Sequence, residues 1–343
     1  MLNNIQDFPL VSIIIPHYGG VDIINECLQS LSKIKYPQLE ILVVDNKSPD
    51  HSIDFIKNNY SEIRLLESDY NRGFAGGCNY GAKFAKGKYL VILNNDTIHE
   101  AEWLNHLVNK MEENNNISSI QPKIKNYTNR TKFDYAGGSG GYMDKYCSPF
   151  ARGRVFNTIE EDLGQYDEPC KIFWASGTAF LTKKIIFDEL KGFDETLFAH
   201  MEEIDYHWKC QYLGYEVWVE PKSVIYHHGA ITLPVESQNK TYLNYRNSLI
   251  LLLTNYPTKV AIKLFFPRIF MEFISLIKEL VILRWKHGWA IIRAWLWILT
   301  HINFLLERKK KLKNKYPIYN IYNKSIVLDY YFLRKKTYTD IIK

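Results

Sequence analysis

A chain of 343 residues that is 46% hydrophobic and 15% aromatic carries enough apolar mass for a full core, which excludes intrinsic disorder. Its five cysteines (Cys27, Cys78, Cys147, Cys170, Cys210) are odd in number and form no Cys-x-x-Cys, which excludes a disulfide framework and a zinc knuckle and fits a reducing compartment. The net charge of +6 is unevenly spread: residues 258–343 hold 18 Lys and Arg against 5 Asp and Glu, while residues 1–257 hold 25 against 32, so a basic tail follows an acidic body and is expected to meet an anionic surface. Met1 to Pro9 shows no basic stretch leading into an apolar run, so no signal peptide is expected.

Leu10 to Ile15 reads as a first buried strand that stops at Pro16-His17-Tyr18-Gly19-Gly20. Asp22 to Leu31 has helical spacing, Leu39 to Val44 is a second strand ending at Asp45, Ser52 to Asn59 a second helix, and Ile63 to Leu66 a third strand. The Gly-rich stretch Asn71 to Asn79 follows, then a helix to about Ala85 and a fourth strand, Leu90 to Leu93. Strand and helix alternating at short intervals imply a mostly parallel, doubly wound sheet flanked by helices. The fourth strand ends on Asn94-Asn95-Asp96-Thr97. These residues either cap a following helix or present oxygen ligands at the carboxyl edge of the sheet, where open α/β sheets bind ligands. The glycines do not spell Gly-x-Gly-x-x-Gly and do not follow the first strand, which argues against a dehydrogenase. Arg72 beside them either offers a fork to a phosphate or is an ordinary surface arginine.

From Asn126 to Lys171 the pattern loosens into loops and weak strands, a flexible surface segment or a substrate-binding insert. Trp174, in the strand-like run Ile172 to Leu181, either floors a sugar site or packs in the core. Glu202, Glu203 and Asp205 open a helix, where acids suit the macrodipole, and one of them could act as a general base. Val217 to Ile225 is a strand closing on His227-His228, candidate metal ligands. A helix from Tyr242 to Leu253 comes next. From Lys259 to Lys286 the polar positions Lys259, Lys263, Arg268, Glu272, Ser275 and Glu279 fall at near-helical spacing on an apolar segment, an amphipathic helix with Pro267 at a kink or a start. Gly288 to Leu306 is rich in Trp but interrupted by Arg293, His301 and Asn303, a poor transmembrane span, and the basic block Arg308 to Lys315 follows. This extension, residues 258–343, is expected to bind the anionic inner face of the cell membrane peripherally, or else to pack on the main domain or form a homodimer interface. No nucleic-acid recognition motif is present.

Taken together, Ser12 to Pro16, Val43-Val44-Asp45-Asn46, Asn71 to Asn79, Leu93 to Asp96, Gly192 to Glu195 and Glu202 to Asp205 resemble the inverting family 2 glycosyltransferases. His227-His228-Gly229, Tyr245-Arg246-Asn247 and the Asn-x-Gly-Phe-Ala-Gly-Gly-x-Asn spelling are similar to the rhamnosyltransferase branch. The resemblance implies a GT-A fold over residues 1–257, with a nucleotide-sugar half to about residue 125 and an acceptor half from 126. It implies a UDP- or dTDP-linked sugar donor, a glycan or polyprenyl-linked acceptor, and Mg²⁺ or Mn²⁺. Carried over by residue, Pro16, Tyr18, Asp45, Arg72, Gly73 and Asn95 would bind the donor. Trp174, Ser176, Gly177 and Glu202 would bind the acceptor, and Arg246 and Asn247 the diphosphate. Asp96 with His227 (or His228) would bind the metal, and Glu203 or Asp205 would be the base. Asn94 stands where the family's Asp-x-Asp motif has its first acid. Two rival classes are a sugar-phosphate nucleotidylyltransferase, which would need a Gly-rich signature after the first strand, and a catalytically silent sugar-nucleotide-binding scaffold.

Overall fold

The computed structural model describes residues 8–229, 237–312 and 317–342, so Lys313 and Lys315 of the basic block and the segment Met1 to Asp7 lie outside the described residues. The first half alternates as its sequence predicts: β1 (Val11–His17), α1 (Val21–Leu31), β2 (Leu39–Asp45), α2 (Ser52–Asn59), β3 (Arg64–Glu67), α3 (Gly73–Ala82) and β4 (Tyr89–Leu93). Then come β5 (Thr97–His99), α4 (Trp103–Glu113) and β6 (Ile117–Asn126). An insert follows, β7 (Gly141–Asp144), β8 (Pro149–Ala151), β9 (Arg154–Val155) and β10 (Thr158–Ile159). The chain returns to the main sheet with β11 (Cys170–Ile172), β12 (Ala179–Lys183), α5 (Lys184–Glu189), α6 (Glu202–Tyr212) and β13 (Glu216–His227). α7 (Gln238–Asn255) follows, and the extension holds α8 (Thr258–Val281), α9 (Trp285–Thr300), α10 (Ile302–Lys311), β14 (Ile321–Tyr322), α11 (Ile326–Tyr331) and α12 (Tyr338–Ile342).

The main sheet runs β11-β13-β6-β12-β4-β1-β2-β3, with β5 added beside β13. β1, β2, β3 and β4 are mutually parallel, whereas β12 lies antiparallel between β4 and β6. The fold is therefore a mixed α/β sheet with helices on both faces, its fully buried β1 and β4 reading as unbroken apolar runs.

Four local expectations are corrected. The glycine stretch is itself the first turns of α3, because Gly77 and Gly81 let the helix lie on the sheet: a Cβ at Gly81 would stand 2.5 Å from Ile14. Asn94 to Thr97 does not cap a helix; it turns into β5, which pairs with β13 so that Thr97 lies opposite His227. The loose segment after residue 126 is an ordered second sheet, β10-β9-β8-β7-β14, closed by a strand from the far end of the chain. Finally, α8 runs unbroken through Pro267 and turns two of its expected polar positions inward. Arg268 and Glu272 are buried and ion-paired at 2.7 Å, and Trp295 of α9 donates its Nε1–H to Glu272 at 2.6 Å. Among the described residues no single helix is long and apolar enough to cross a membrane, and α9 and α10 meet at a 71° bend.

Candidate active site

The carboxyl ends of β1, β2 and β4 bring the nucleotide-side residues together. Asp45 closes β2, and its Oδ1 accepts from the backbone N–H (2.8 Å) and the hydroxyl (2.6 Å) of Ser48, which fixes the carboxylate at the sheet edge. Pro16 is half-buried and Tyr18 exposed beside it, at the end of β1. The Arg72 guanidinium is held between the rings of Tyr70 (4.4 Å) and Tyr80 (4.8 Å), with Nε donating to Ser68 Oγ at 2.7 Å. A cation so preset loses little freedom on meeting a phosphate. Gly73 has φ 68° and no room for a side chain, because a Cβ would sit 2.6 Å from Phe198. Asn95 is buried against His17 (2.9 Å), whose other ring nitrogen meets Ser52 Oγ at 2.8 Å. Burial lowers His17 to about 4, so it acts as a neutral spacer that orients Asn95.

Asp96 and His227 meet because β5 pairs with β13. Asp96 Oδ1 and His227 Nε2 lie 3.1 Å apart, both side chains nearly inaccessible, yet Oδ1 has no hydrogen bond. Their 3.1 Å separation matches the ~3 Å between neighbouring ligands on an ion with bonds of ~2.1 Å. Asp134, in the loop after β6, accepts from the other ring nitrogen, Nδ1, at 2.8 Å and is itself buried. Burial would lower His227, but Asp96 and Asp134 outweigh it and hold the imidazole up at about 10; burial would raise Asp96, but His227 holds it below the usual carboxylate range. The carboxylate–histidine arrangement is that of metal sites, where the outer acid fixes the ring's orientation. No third His, Cys, Asp or Glu converges there among the described residues. The pair fits a hard divalent ion that would displace the Nε2 proton of His227 and take its remaining ligands from phosphate oxygens and water. His228 is turned away: Nε2 meets Glu26 at 3.0 Å, and the ring packs on Tyr127.

Glu203 lies on the opposite side of the β12 entrance. Gly177 N–H donates to its carboxylate, while Thr178 O accepts from Asn94 N at 2.9 Å, so one short segment joins Glu203 to the Asp96 strand end. The other carboxylate oxygen, Oε2, is buried without a partner. Burial, only partly offset by backbone N–H groups, raises Glu203 to about 7. Glu202 is deeper still and raised well above its ordinary value, by burial first and by the Glu203 charge second. A carboxylate poised near neutrality with an unpartnered oxygen is suited to general-base work.

Several expected site residues are placed elsewhere. Asp205 is fully buried beneath the site, 2.6 Å from both Arg308 of α10 and Lys209, and accepts from Asn255 at 2.8 Å. Burial would raise it, but the two cations hold it far below the usual carboxylate range, so it is an ion-pair anchor and not a base. Glu202 is enclosed rather than offered to an acceptor. Trp174 packs its ring on Gly141 and donates Nε1–H to Tyr142 O at 2.8 Å, a core contact rather than a sugar floor. Ser176 donates to Ala136 O at 2.6 Å, which ties the Asp134 loop to Gly177. Arg246 and Asn247 do not reach for a diphosphate. Their side chains donate to the backbone carbonyls of Thr196, Leu197, Ala199 and His200. That loop needs the restraint, since Phe198, His200 and Met201 all adopt positive φ just before α6. The residue the sequence did not single out is Asp134, which lacks any motif or spacing to mark it.

A GT-A-like architecture is what the structural neighbours share. A Pyrobaculum calidifontis mannosyltransferase solved with GDP-Man and Mn²⁺ superposes with a TM-score of 0.51 at 15% identity, over 85% of this chain and 87% of that one. GalNAc-T7, solved with UDP, GalNAc and Mn²⁺, gives 0.55 at 16% identity, over 76% and 55%. The chain belongs to glycosyl transferase family 2, whose model matches residues 12–190. Among curated relatives, the Escherichia coli UDP-Glc:alpha-D-GlcNAc-diphosphoundecaprenol beta-1,3-glucosyltransferase WfgD is 35% identical over 111 residues, 32% of this chain and 44% of the relative. The chain spans less than half the length of the most similar curated relatives it matches. Glu203, His227 and the extension lie beyond the family match, so their placement comes from the structure alone.

Proposed function

We propose that the protein is an inverting, metal-dependent glycosyltransferase that moves a hexose from a UDP- or dTDP-linked donor to a glycan or polyprenyl-linked acceptor in cell-surface polysaccharide synthesis. Rhamnose is the sugar favoured by the Asn71 to Asn79 and His227 to Gly229 spellings. The observation that carries the reading is the Asp96–His227 pair together with Glu203, whose Oε2 is unpartnered and which is linked to the Asp96 strand end through Gly177 N–H and the Asn94–Thr178 bond. In the reaction, Glu203 takes the proton of the acceptor hydroxyl. The acceptor oxygen bonds to the anomeric carbon as the bond to the diphosphate oxygen breaks, and the nucleoside diphosphate leaves with the electron pair. Asp45 and Tyr18 hold the base, and Arg72 lies ready for the phosphates. A divalent ion, Mg²⁺ or Mn²⁺, held by Asp96 and His227 supplies Lewis-acid neutralisation of the leaving diphosphate when bound. Inversion is supported by the carboxylates of α6: Asp205 is locked in ion pairs and Glu202 is buried, which leaves Glu203 as the one of the three that is only half-buried. The lipid-linked acceptor is supported by the diphosphoundecaprenol acceptor in the name of the E. coli relative.

The test is a thermal-shift panel of UDP- and dTDP-hexoses with Mn²⁺, followed by NMR of the product's anomeric configuration. One donor is expected to raise the melting temperature, as a ligand of the folded state must, and the product is expected to carry the inverted anomer. A retained anomer, or a panel with no shift at all, refutes the reading.

A further inference from the structure

The extension turns its greasy side outward. On α8 the buried positions include the charged pair Arg268 and Glu272, whereas Phe266, Phe270, Phe273, Ile277 and Val281 are all exposed, Phe266 at 70% and Val281 at 74%. These five recur at intervals of four and three residues, so they form one stripe along the helix. At the turn into α9 the stripe continues with Leu283, Trp285 and Trp289, and at the α10 end with Ile302 and Leu306. The opposite faces are occupied: Arg268 bonds to Ser248 of α7 at 2.8 Å, and α9 packs on α7 through buried Ala290, Ile291 and Ala294. A continuous exposed apolar face of this size on a folded chain marks a contact surface.

Its chemistry selects the occupant. Helical phase puts the exposed Lys259 and Lys263 in the same stripe, at its N-terminal end, and exposed Lys278 and Lys286 flank it. No exposed Asp or Glu of α8 interrupts it among the described residues; Glu272 is buried, and Glu279 is half-buried and paired with Arg284. Aromatic rings and lysines on one face suit the boundary between acyl chains and anionic headgroups. We infer that the outer face of α8, α9 and the start of α10 lies in the surface of an anionic lipid bilayer, parallel to it rather than across it. The parallel pose follows from the inner faces being spent on α7 and from the 71° bend between α9 and α10. The cations of this mode differ from the block at the end of α10. Arg308 is buried on Asp205, and Lys309 donates to Leu253 O and Tyr256 O at the end of α7, so both face inward. The inference rests on the proposed function only for the acceptor being carried by lipid.

The experiment is flotation of the full chain with vesicles of phosphatidylcholine alone or with phosphatidylglycerol added, for wild type and for Phe270→Ser/Ile277→Ser/Trp289→Ser. All three side chains point away from the core, so melting temperature and nucleotide-sugar binding are expected to stay at wild-type values. Wild type is expected to float with the anionic vesicles and weakly with the neutral ones, and the triple variant to lose about a hundredfold in partitioning. Lys259→Glu/Lys263→Glu is expected to abolish the preference for anionic lipid. Wild type that stays at the bottom with both vesicles overturns the inference. So does a wild-type dimer that the triple variant converts to monomer without any flotation, which would assign the face to a second copy. Flotation without nucleotide-sugar binding would leave the membrane face standing and remove the enzymatic reading instead.

Discussion

Replacing Glu203 by Gln should make the protein more stable and almost inactive. The change keeps the shape and the bond from Gly177 N–H but removes the ionisable group. Glu203 is raised from its ordinary 4.5 to about 7 by burial. Its folded value lies above its unfolded one, so its protonated form suits the fold. The penalty is absent below about pH 4.5, grows as pH rises, and is complete above about 7, where it amounts to on the order of 3 kcal/mol. Because Glu203 is partly open to the site, the measured value should fall below that figure. At pH 8, Glu203→Gln should therefore melt higher than wild type, and the gap should close by pH 4.5. Turnover should fall ~10²–10⁴-fold, the usual contribution of a general base, with donor affinity unchanged. In wild type, kcat/KM should rise with pH to a plateau with an apparent pKa near 7, a value belonging to the Glu202–Glu203 pair. Urea melts at two pH values and a nucleoside-diphosphate release assay measure both halves. Turnover at the wild-type rate, or a variant less stable than wild type at pH 8, refutes the reasoning.

Asp205→Asn should behave in the opposite way. It leaves Arg308 buried without its full charge partner, so stability should fall by ~3–5 kcal/mol, while the rate per folded molecule stays within a few-fold; an inactive variant with an unchanged melting temperature would return Asp205 to the base role. Asp134→Asn removes the carboxylate behind His227, and Mn²⁺ affinity measured by calorimetry should weaken ~10–100-fold; unchanged affinity would show that the ring needs no such support. Asn247→Ala removes the side-chain donor to the carbonyls of Ala199 and His200, while Leu197 O keeps Arg246; this should cost ~1–3 kcal/mol in denaturant melts and slow turnover through the displaced start of α6, with donor binding intact; unaltered turnover would mean that the loop's geometry does not matter to Glu203.

The strand ends were legible because a buried apolar run that stops on polar residues announces its own edge; Asp45, Asn95 and Asp96 all sit where such runs end. What sequence could not resolve was direction. Glu203 and Asp205 are two residues apart on a helix and so point to different sides. Only the position of Arg308, a hundred residues on, shows which side is the interior. Trp174 reads alike as floor or core until Gly141 is seen to make room for its ring. The resemblance assigns Arg246 and Asn247 to an anion, because a sequence does not display the positive-φ loop whose carbonyls they hold. On α8 the helical spacing of polar residues predicts a solvated face. That expectation fails at Arg268 and Glu272, which satisfy each other and four further partners inside.

The buried charges under α6 explain how the two halves of the chain are made to act as one. A buried ion pair adds little net stability, since desolvation offsets most of the attraction, but it tolerates few alternative arrangements. Arg308 of α10 reaches Asp205 at 2.6 Å and Asp194 at 2.8 Å, while Asn255 of α7 binds both Arg308 and Asp205. Asp194 stands before the strained loop and Asp205 on the helix that carries Glu203. The extension is therefore keyed to the same two elements that position the candidate base. An apolar contact there would permit sliding, whereas a shared guanidinium fixes one register. If the outer face of α8 and α9 lies on lipid, as we propose, that register would set the height and tilt of Glu203 above the surface. A lipid-borne hydroxyl, confined to a layer a few ångströms deep, is reached only when that height is fixed.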